Sequence, residues 1–256
     1  MIEVFMVTFS ELNSRIVHDY VAKIKNEIYE EEYYNPFSET FYLDEKRFLL
    51  ALKPQKWTLL HECIEDSILD GLNYALKKNG YDFYERIYRD FDIYGVKYVQ
   101  VVDELRGTSH CDYLISKYKE EVCPRLVPSI FNILFSDRST MRQFNRIVAD
   151  HISKLSEKEY PEYLKKDGVM KRNNYWPKWL REALNRREQG HCAAPGCQKN
   201  LTGMLANGNE QAIDHIVPLN QGGVNDPTNL QMLCTDCNQD KGGNNDYTSD
   251  MYSLYW

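Results

Sequence analysis

Cys192-Ala-Ala-Pro-Gly-Cys197, then Ile213-Asp214-His215-Ile216-Val217-Pro218-Leu219, Gly222-Gly223, Asn229-Leu230 and Cys234-Thr-Asp-Cys237-Asn238-Gln-Asp-Lys241-Gly242 decide how this chain folds toward its C-terminal end. Four residues separate the first cysteine pair and two separate the second. That is the layout of two knuckles closing on one tetrahedral zinc, with Zn–S of about 2.3 Å. All four ligands, Cys192, Cys197, Cys234 and Cys237, are thiolates, so no position stays open for water and the zinc is structural. Between the pairs, the apolar run Ile213 to Leu219 predicts a strand closed by Pro218. Asn220 to Thr228, with Gly222-Gly223 and Asn225-Asp226-Pro227, predicts a loop. Leu230 to Leu233 predicts the returning strand, and Thr235 onward a short helix ended by Gly242-Gly243. The expectation is a hairpin followed by a helix, stapled by zinc because so small a unit buries too little core alone.

This arrangement gathers particular groups. His215 ends the first strand, Asp214 beside it points to the opposite face of the pleat, and Asn238 lies on the helix packed across the hairpin. A carboxylate and an amide oxygen are hard ligands that suit Mg²⁺ or Mn²⁺. A neutral imidazole, with an ordinary pKa of about 6.5, takes a proton from an attacking water near neutral pH.

The linked elements Asp214-His215-Ile216-Val217-Pro218-Leu219, Gly222-Gly223, Asn229-Leu230 and Cys234-x-x-Cys237-Asn238-x-x-Lys241-Gly242 resemble the HNH endonucleases, the zinc-bearing branch of the ββα-metal nucleases. The resemblance covers about a quarter of the chain. It implies that His215 is the general base and Asp214 the first ligand of the catalytic ion. Asn238 stands where many members carry a last His, as second metal ligand. Asn229 matches the middle Asn, which holds the loop and the base in register, and Lys241 matches a phosphate contact. The chain is thus an H-N-N variant. An amide oxygen in place of an imidazole nitrogen preserves the expected activity and leaves the metal preference open. The first knuckle holds four residues where two are more familiar, a length that Pro195-Gly196 permits. The competing reading is a zinc ribbon that only folds or binds, with His191 a surface residue flanking Cys192.

The sequence has 256 residues, 43% hydrophobic and 27% charged, an ordinary globular composition with room for one large or two modest domains. No apolar run is long enough for a membrane span and the N-terminus lacks a basic leader region, so the expectation is a soluble, cytoplasmic protein. Cys63, Cys111 and Cys123 are isolated, as small buried side chains are in a reducing compartment.

With 31 basic and 38 acidic residues the chain carries a net charge of −7, unusual for a protein that approaches a polyanion unaided. The segment Lys165 to Arg187 compensates locally, with Lys165, Lys166, Lys171, Arg172, Lys178, Arg181, Arg186 and Arg187 against Asp167 and Glu182. Lys178, Arg181, Arg186 and Arg187, just before the first knuckle, are candidate DNA contacts. Trp176 and Trp179 either stack on bases or anchor the nuclease domain to the preceding one.

Upstream, Leu12, Ile16, Tyr20, Ile24 and Ile28 recur every four residues and predict an amphipathic helix ending before Pro36. A second stripe runs from Trp57 through Leu60, Ile64, Ile68, Leu72 and Leu76 to Asn79-Gly80. A third comprises Met141, Phe144, Val148, Ile152 and Leu155, with Ser139 and Thr140 as capping candidates. Val96 to Val102 suits a strand, Val122 to Phe135 is apolar but punctuated by Pro124 and Pro128, and Lys166 to Tyr175 suits a linker. The acidic run Glu27, Glu30, Glu31, Glu32 would repel DNA. The tail with Tyr247, Tyr252, Tyr255 and Trp256 either packs on the core or binds a partner.

The expected fold is α+β: a mainly helical domain over 1–170 that recruits DNA or a partner, or regulates, and an HNH domain over 171–256. Net charge and the lack of a base-reading element favour the nuclease effector of a bacterial or phage-borne defence system, docked on a protein partner. The alternatives are a stand-alone restriction or homing-type nuclease and a non-catalytic zinc module of a larger assembly. The resemblance implies DNA as substrate. One such centre cuts one strand, so a double-strand break needs a homodimer or a second visit.

Overall fold

A computed structural model describes residues 14–29, 42–79, 81–100, 108–206 and 210–251. Leu12, Glu30 to Glu32, Pro36, Gly80, Val101, Val102, Tyr252, Tyr255 and Trp256, all named above, lie outside them. The chain divides into two compact units, Met1–Ile24 with Leu60–Ile133, and Lys25–Leu59 with Leu134–Trp256.

The first unit is helical among its described residues. It takes the first part of α1 (Ser14–Tyr29), nearly all of α3 (Leu59–Asn79), α4 (Tyr81–Ile93), α5 (Thr108–Lys117) and most of α6 (Cys123–Ser136). The four-residue spacing of Leu60, Ile64, Ile68, Leu72 and Leu76 puts all five on one face of α3, and all five are buried. Asn79 ends the helix, as the sequence predicts. Ahead of α6, Tyr118–Val122 form a π turn in which the Cys123 N–H reaches back to the Tyr118 carbonyl. Pro128 lies inside α6 and carries no N–H, so the helix runs through it with that ladder donor missing, while Pro124 stands in the first turn. The expected strand at Val96 to Val102 is not formed over residues 96–100; Val99 is 66% exposed and its N–H donates to the Tyr113 hydroxyl, and no strand among the described residues pairs with it. Cys63 and Cys123 are buried and Cys111 half-buried. The Cys111 thiol meets the Tyr84 hydroxyl at 3.2 Å, and His110 Nε2 meets the Tyr88 hydroxyl at 2.8 Å.

The second unit contains α2 (Glu45–Leu52), α7 (Arg138–Ser153), β1 (Leu164–Lys166), β2 (Val169–Met170), α8 (Lys178–Arg187), β3 (Gln211–His215), β4 (Leu230–Cys234) and α9 (Thr235–Lys241). Met141, Phe144, Val148 and Ile152 of α7 are all buried. Its cap is Asp137, one position before the helix, and not Ser139 or Thr140. The Asp137 carboxylate accepts from the Thr140 N–H at 3.1 Å and the Thr140 hydroxyl at 2.8 Å, which places Ser139 and Thr140 inside the first turn. Lys166 to Tyr175 is no free linker. It holds the turn and second strand of the antiparallel β1–β2 hairpin, with Met170 buried.

The antiparallel β3–β4 hairpin and α9 form the expected strand-strand-helix unit. Its core joins Ile213, Leu230, Met232 and Leu233 to Leu180 and Leu184 of α8, with Trp176, Trp179 and Tyr247 packed against it. Both tryptophans therefore anchor within this core, while Tyr175 is 74% exposed. The first strand is shorter than Ile213 to Leu219. It stops at His215 because the N–H groups of Ile216 and Val217 turn to Asn229, and Pro218 has none to offer.

Candidate active site

The hairpin register sets the site. Asp214 lies opposite Gln231 and His215 opposite Leu230, and the strand's two-residue period sends neighbouring side chains to opposite faces. From across the ladder, the Gln231 amide donates to Asp214 Oδ2 at 2.9 Å. From α9, Lys241 Nζ lies 3.0 Å from the same oxygen and donates to the His215 carbonyl at 2.6 Å. Lys241 is thus wholly buried, clamped to the end of β3 by a carboxylate and a carbonyl. The phosphate contact expected of it is not available in this arrangement, because the ammonium is buried and committed to Asp214 and the His215 carbonyl.

Burial pushes the Asp214 carboxyl above the usual carboxylate range, and the Lys241 ammonium and Gln231 amide oppose that rise. Both side-chain contacts fall on Oδ2, so Oδ1 has no side-chain partner among the described residues. Asn238 sits half-buried on α9, three positions before Lys241, and its side chain makes no hydrogen bond among the described residues. Asp214 Oδ1 and the Asn238 amide are thus hard-oxygen donors without a side-chain partner among the described residues.

His215 is 6% exposed. Burial lowers its pKa to about 4, against the Asn225 hydrogen bond that raises it, and the charges of Arg172 and Lys241 push it further down. At neutral pH it is an uncharged imidazole. Its Nε2 meets Asn225 Oδ1 at 3.1 Å, and Trp176 stands edge-on with ring centroids 5.8 Å apart.

Asn229 staples the turn. Its Oδ1 accepts from the Val217 N–H at 2.8 Å, and its Nδ2 donates to the Val217 and Val224 carbonyls, both at 2.9 Å. The glycine pair exists for clearance. A Cβ on Gly223 would lie 1.9 Å from the Val217 oxygen, and one on Gly222, at φ +85°, 2.4 Å from the Ala149 oxygen of α7.

The four cysteines converge from the first knuckle and the start of α9, their sulfurs all within 4.8 Å of one another. A tetrahedral zinc with Zn–S of about 2.3 Å separates its sulfurs by about 3.8 Å, so the cluster fits one ion. The Cys234 N–H donates to Cys192 Sγ at 3.3 Å, and Cys234 Sγ caps α9 by accepting from the Cys237 N–H at 3.5 Å. His191 Nδ1 bonds the Gln189 carbonyl at 2.8 Å and stays outside the cluster.

Residues 192–244 match the HNH endonuclease family model. The chain carries a C-terminal HNH domain. Neither the curated proteins nor the solved structures contain a match to this chain.

The basic residues flanking the HNH domain divide by burial. Lys178, Arg181 and Arg186 are exposed, with Lys178 3.6 Å from Glu182. Arg187, expected among the DNA contacts, points inward. Its guanidinium pairs with Glu188 at 2.6 Å, donates to the Leu230 carbonyl at 2.5 Å and lies over the Phe135 ring. Glu188 also holds Arg138, so the acid is shared by two buried arginines. Arg172 is exposed, without a hydrogen bond or ion pair among the described residues, and its charge reaches His215.

Sequence reasoning missed Asn225, Asp226 and Gln231. Gln231 carried a readable signal as the polar residue inside the run Leu230-Gln-Met-Leu233, opposite a strand carboxylate. Asp226 before Pro227 was readable as a helical cap; its buried carboxylate accepts from Thr228 and from the Leu59 N–H at 2.8 Å. Nothing in the sequence marks Asn225 apart from its loop neighbours.

Proposed function

We propose that the chain is a divalent-metal-dependent endonuclease that hydrolyses DNA phosphodiester bonds. The observation that carries this reading is an uncharged, rigidly held His215 at the end of β3, adjacent to Asp214, within the segment matching HNH endonucleases.

The chemistry divides among few groups. His215 takes a proton from a water at its free ring nitrogen. The resulting hydroxide oxygen bonds to phosphorus as the bond to the 3′-oxygen breaks, leaving a 5′-phosphate and, once that oxygen is protonated, a 3′-hydroxyl. Asp214 and Asn238 would hold Mg²⁺ or Mn²⁺, which when bound supplies positive charge at the phosphate and the leaving oxygen. Lys241 holds Asp214 and the His215 backbone in one orientation. Asn229 keeps the turn closed behind the base, and zinc on the four cysteines fixes the hairpin against α9. Exposed Lys178, Arg181, Arg186 and Arg172 line the approach for backbone phosphates.

The negative net charge favours a nuclease effector of a bacterial or phage-borne defence system, with the helical region 1–170 docking a protein partner that supplies targeting. Purified, zinc-loaded protein incubated with supercoiled plasmid and Mg²⁺, beside Asp214→Ala and His215→Ala, tests the activity. Relaxed or linear plasmid from the wild type alone supports it, and identical plasmid forms from all three overturn it. Cleavage that starts only when neighbouring gene products are added supports the effector setting. Full cleavage by the chain alone favours a stand-alone nuclease.

A further inference from the structure

The Asn225 side chain is fully buried and uses all of its hydrogen-bonding capacity. Its Nδ2 donates to two backbone carbonyls, Leu52 at 2.9 Å and Lys171 at 2.8 Å. Its Oδ1 accepts from the Asn173 N–H at 3.2 Å and faces His215 Nε2 at 3.1 Å. Its own N–H donates to the Ala51 carbonyl at 2.8 Å. Turning the amide over would set its NH₂ against the Asn173 N–H and its oxygen against two carbonyls, so only one orientation is satisfied. In that orientation an oxygen faces Nε2, and the imidazole is compatible with it only as the Nε2–H tautomer. The unprotonated nitrogen is then Nδ1, to which no hydrogen bond runs among the described residues.

We propose that Asn225 is a positioning residue for the reaction: it fixes His215 in the Nε2–H tautomer so that Nδ1 is the proton acceptor, and ties the backbone on both sides of Arg172 to the same amide. The assignment of Nδ1 as catalytic base rests on the nuclease reading above, whereas the tautomer does not. A general base held in the wrong tautomer presents a proton where a lone pair is needed, so losing the hold lowers turnover while leaving substrate affinity nearly intact.

Long-range proton–nitrogen correlation spectra of the zinc-loaded full chain, labelled at histidine nitrogens and recorded near neutral pH, read the tautomer directly; His215→Ala assigns the signals. The wild type is expected to show Nε2 protonated and Nδ1 bare. In Asn225→Ala the two nitrogens should move toward averaged values, with kcat on plasmid falling on the order of tenfold to a hundredfold and KM within about twofold. Nδ1 protonated in the wild type overturns the proposal, as does Asn225→Ala with unchanged tautomer and kcat. Should Asn225→Ala fail to fold, the wild-type spectrum decides: Nε2 protonated with Nδ1 bare supports the hold, and Nδ1 protonated overturns it. A wild type that cuts no DNA yet shows the Nε2–H tautomer, lost in Asn225→Ala, overturns the nuclease reading and with it the catalytic half of the proposal, while the hold on the imidazole stands. Cleavage by a wild type with Nδ1 protonated overturns this inference alone.

Discussion

Lys241 Nζ and Asp214 Oδ2 lie 3.0 Å apart with the lysine side chain fully buried, so the cation nearest the candidate metal ligand belongs to the protein's own helix. The same ammonium reaches the His215 carbonyl, which joins α9 to the last residue of β3. The pair couples the carboxylate, the base and the helix bearing Asn238.

Removing one partner of a buried ion pair leaves the other charge uncompensated, a loss of about 3–5 kcal/mol. Lys241→Ala should therefore destabilise the fold by that order in urea titration. Its DNA binding, measured where it stays folded, should keep the wild-type salt dependence. A phosphate contact would instead lower the salt slope by about one. A stable Lys241→Ala protein with a reduced slope would restore the role expected from the sequence.

Gly223 packs its backbone against the Val217 and Pro218 carbonyls, with a Cβ position 1.9 Å from the first. Alanine there must push the turn open, breaking the Asn229 hydrogen bonds that close it. Gly223→Ala is expected to cost more than about 3 kcal/mol, or to prevent folding of the hairpin, read by thermal denaturation. A melting temperature within about 2 °C of the wild type would show that the turn yields freely.

How much of this was legible follows from the range of each interaction. The zinc knuckles, the hairpin, α9 and the stripes of α1, α3 and α7 rest on local spacing, so Cys192 to Cys237 and Leu60 to Leu76 could be read directly. The end of β3 could not, because it is set by Asn229, twelve residues beyond Val217, and not by the apolar run through Leu219. Lys241 and Arg187 were misplaced for a related reason. A basic residue beside a motif reads as solvent-facing unless its buried acceptors are known, and these are Asp214 for one, Glu188 and the Leu230 carbonyl for the other. Asn225 draws on Leu52 and Lys171, far away in sequence, and no pattern announces such a contact.

Burial holds the His215 pKa near 4, while an unfolded histidine titrates near 6.5. The folded state therefore binds fewer protons in that interval. The stability associated with the neutral ring is complete above about pH 6.5 and is lost as pH falls toward 4, by roughly 3 kcal/mol. Asp226, raised by burial to about 6, works in the opposite sense between about pH 4 and 6, where its protonation favours the fold. Denaturant midpoints at several pH values should show the wild type losing more stability than His215→Gln as pH drops. Cleavage in kcat/KM should persist below pH 6, with its acid limb below about 5; a limb centred near 6.5 would mean an exposed base.

Arg181 and Arg187 lie six residues apart on α8, one exposed and one buried on Glu188. Arg181→Ala should weaken DNA binding and lower its salt slope by about one while leaving the melting temperature unchanged. Arg187→Ala should do the reverse, destabilising by about 3 kcal/mol because Glu188 keeps only Arg138. Equal loss of stability in both variants would contradict the division by burial.

The rate of plasmid strand cleavage in Mg²⁺, compared between the zinc-loaded wild type and His215→Ala of equal melting temperature, bears on the whole account. A general base contributes on the order of 10²- to 10⁴-fold, so the variant's rate should fall at least about a hundredfold. Equal rates, or none from either protein with every candidate partner supplied, would contradict an active centre built on His215.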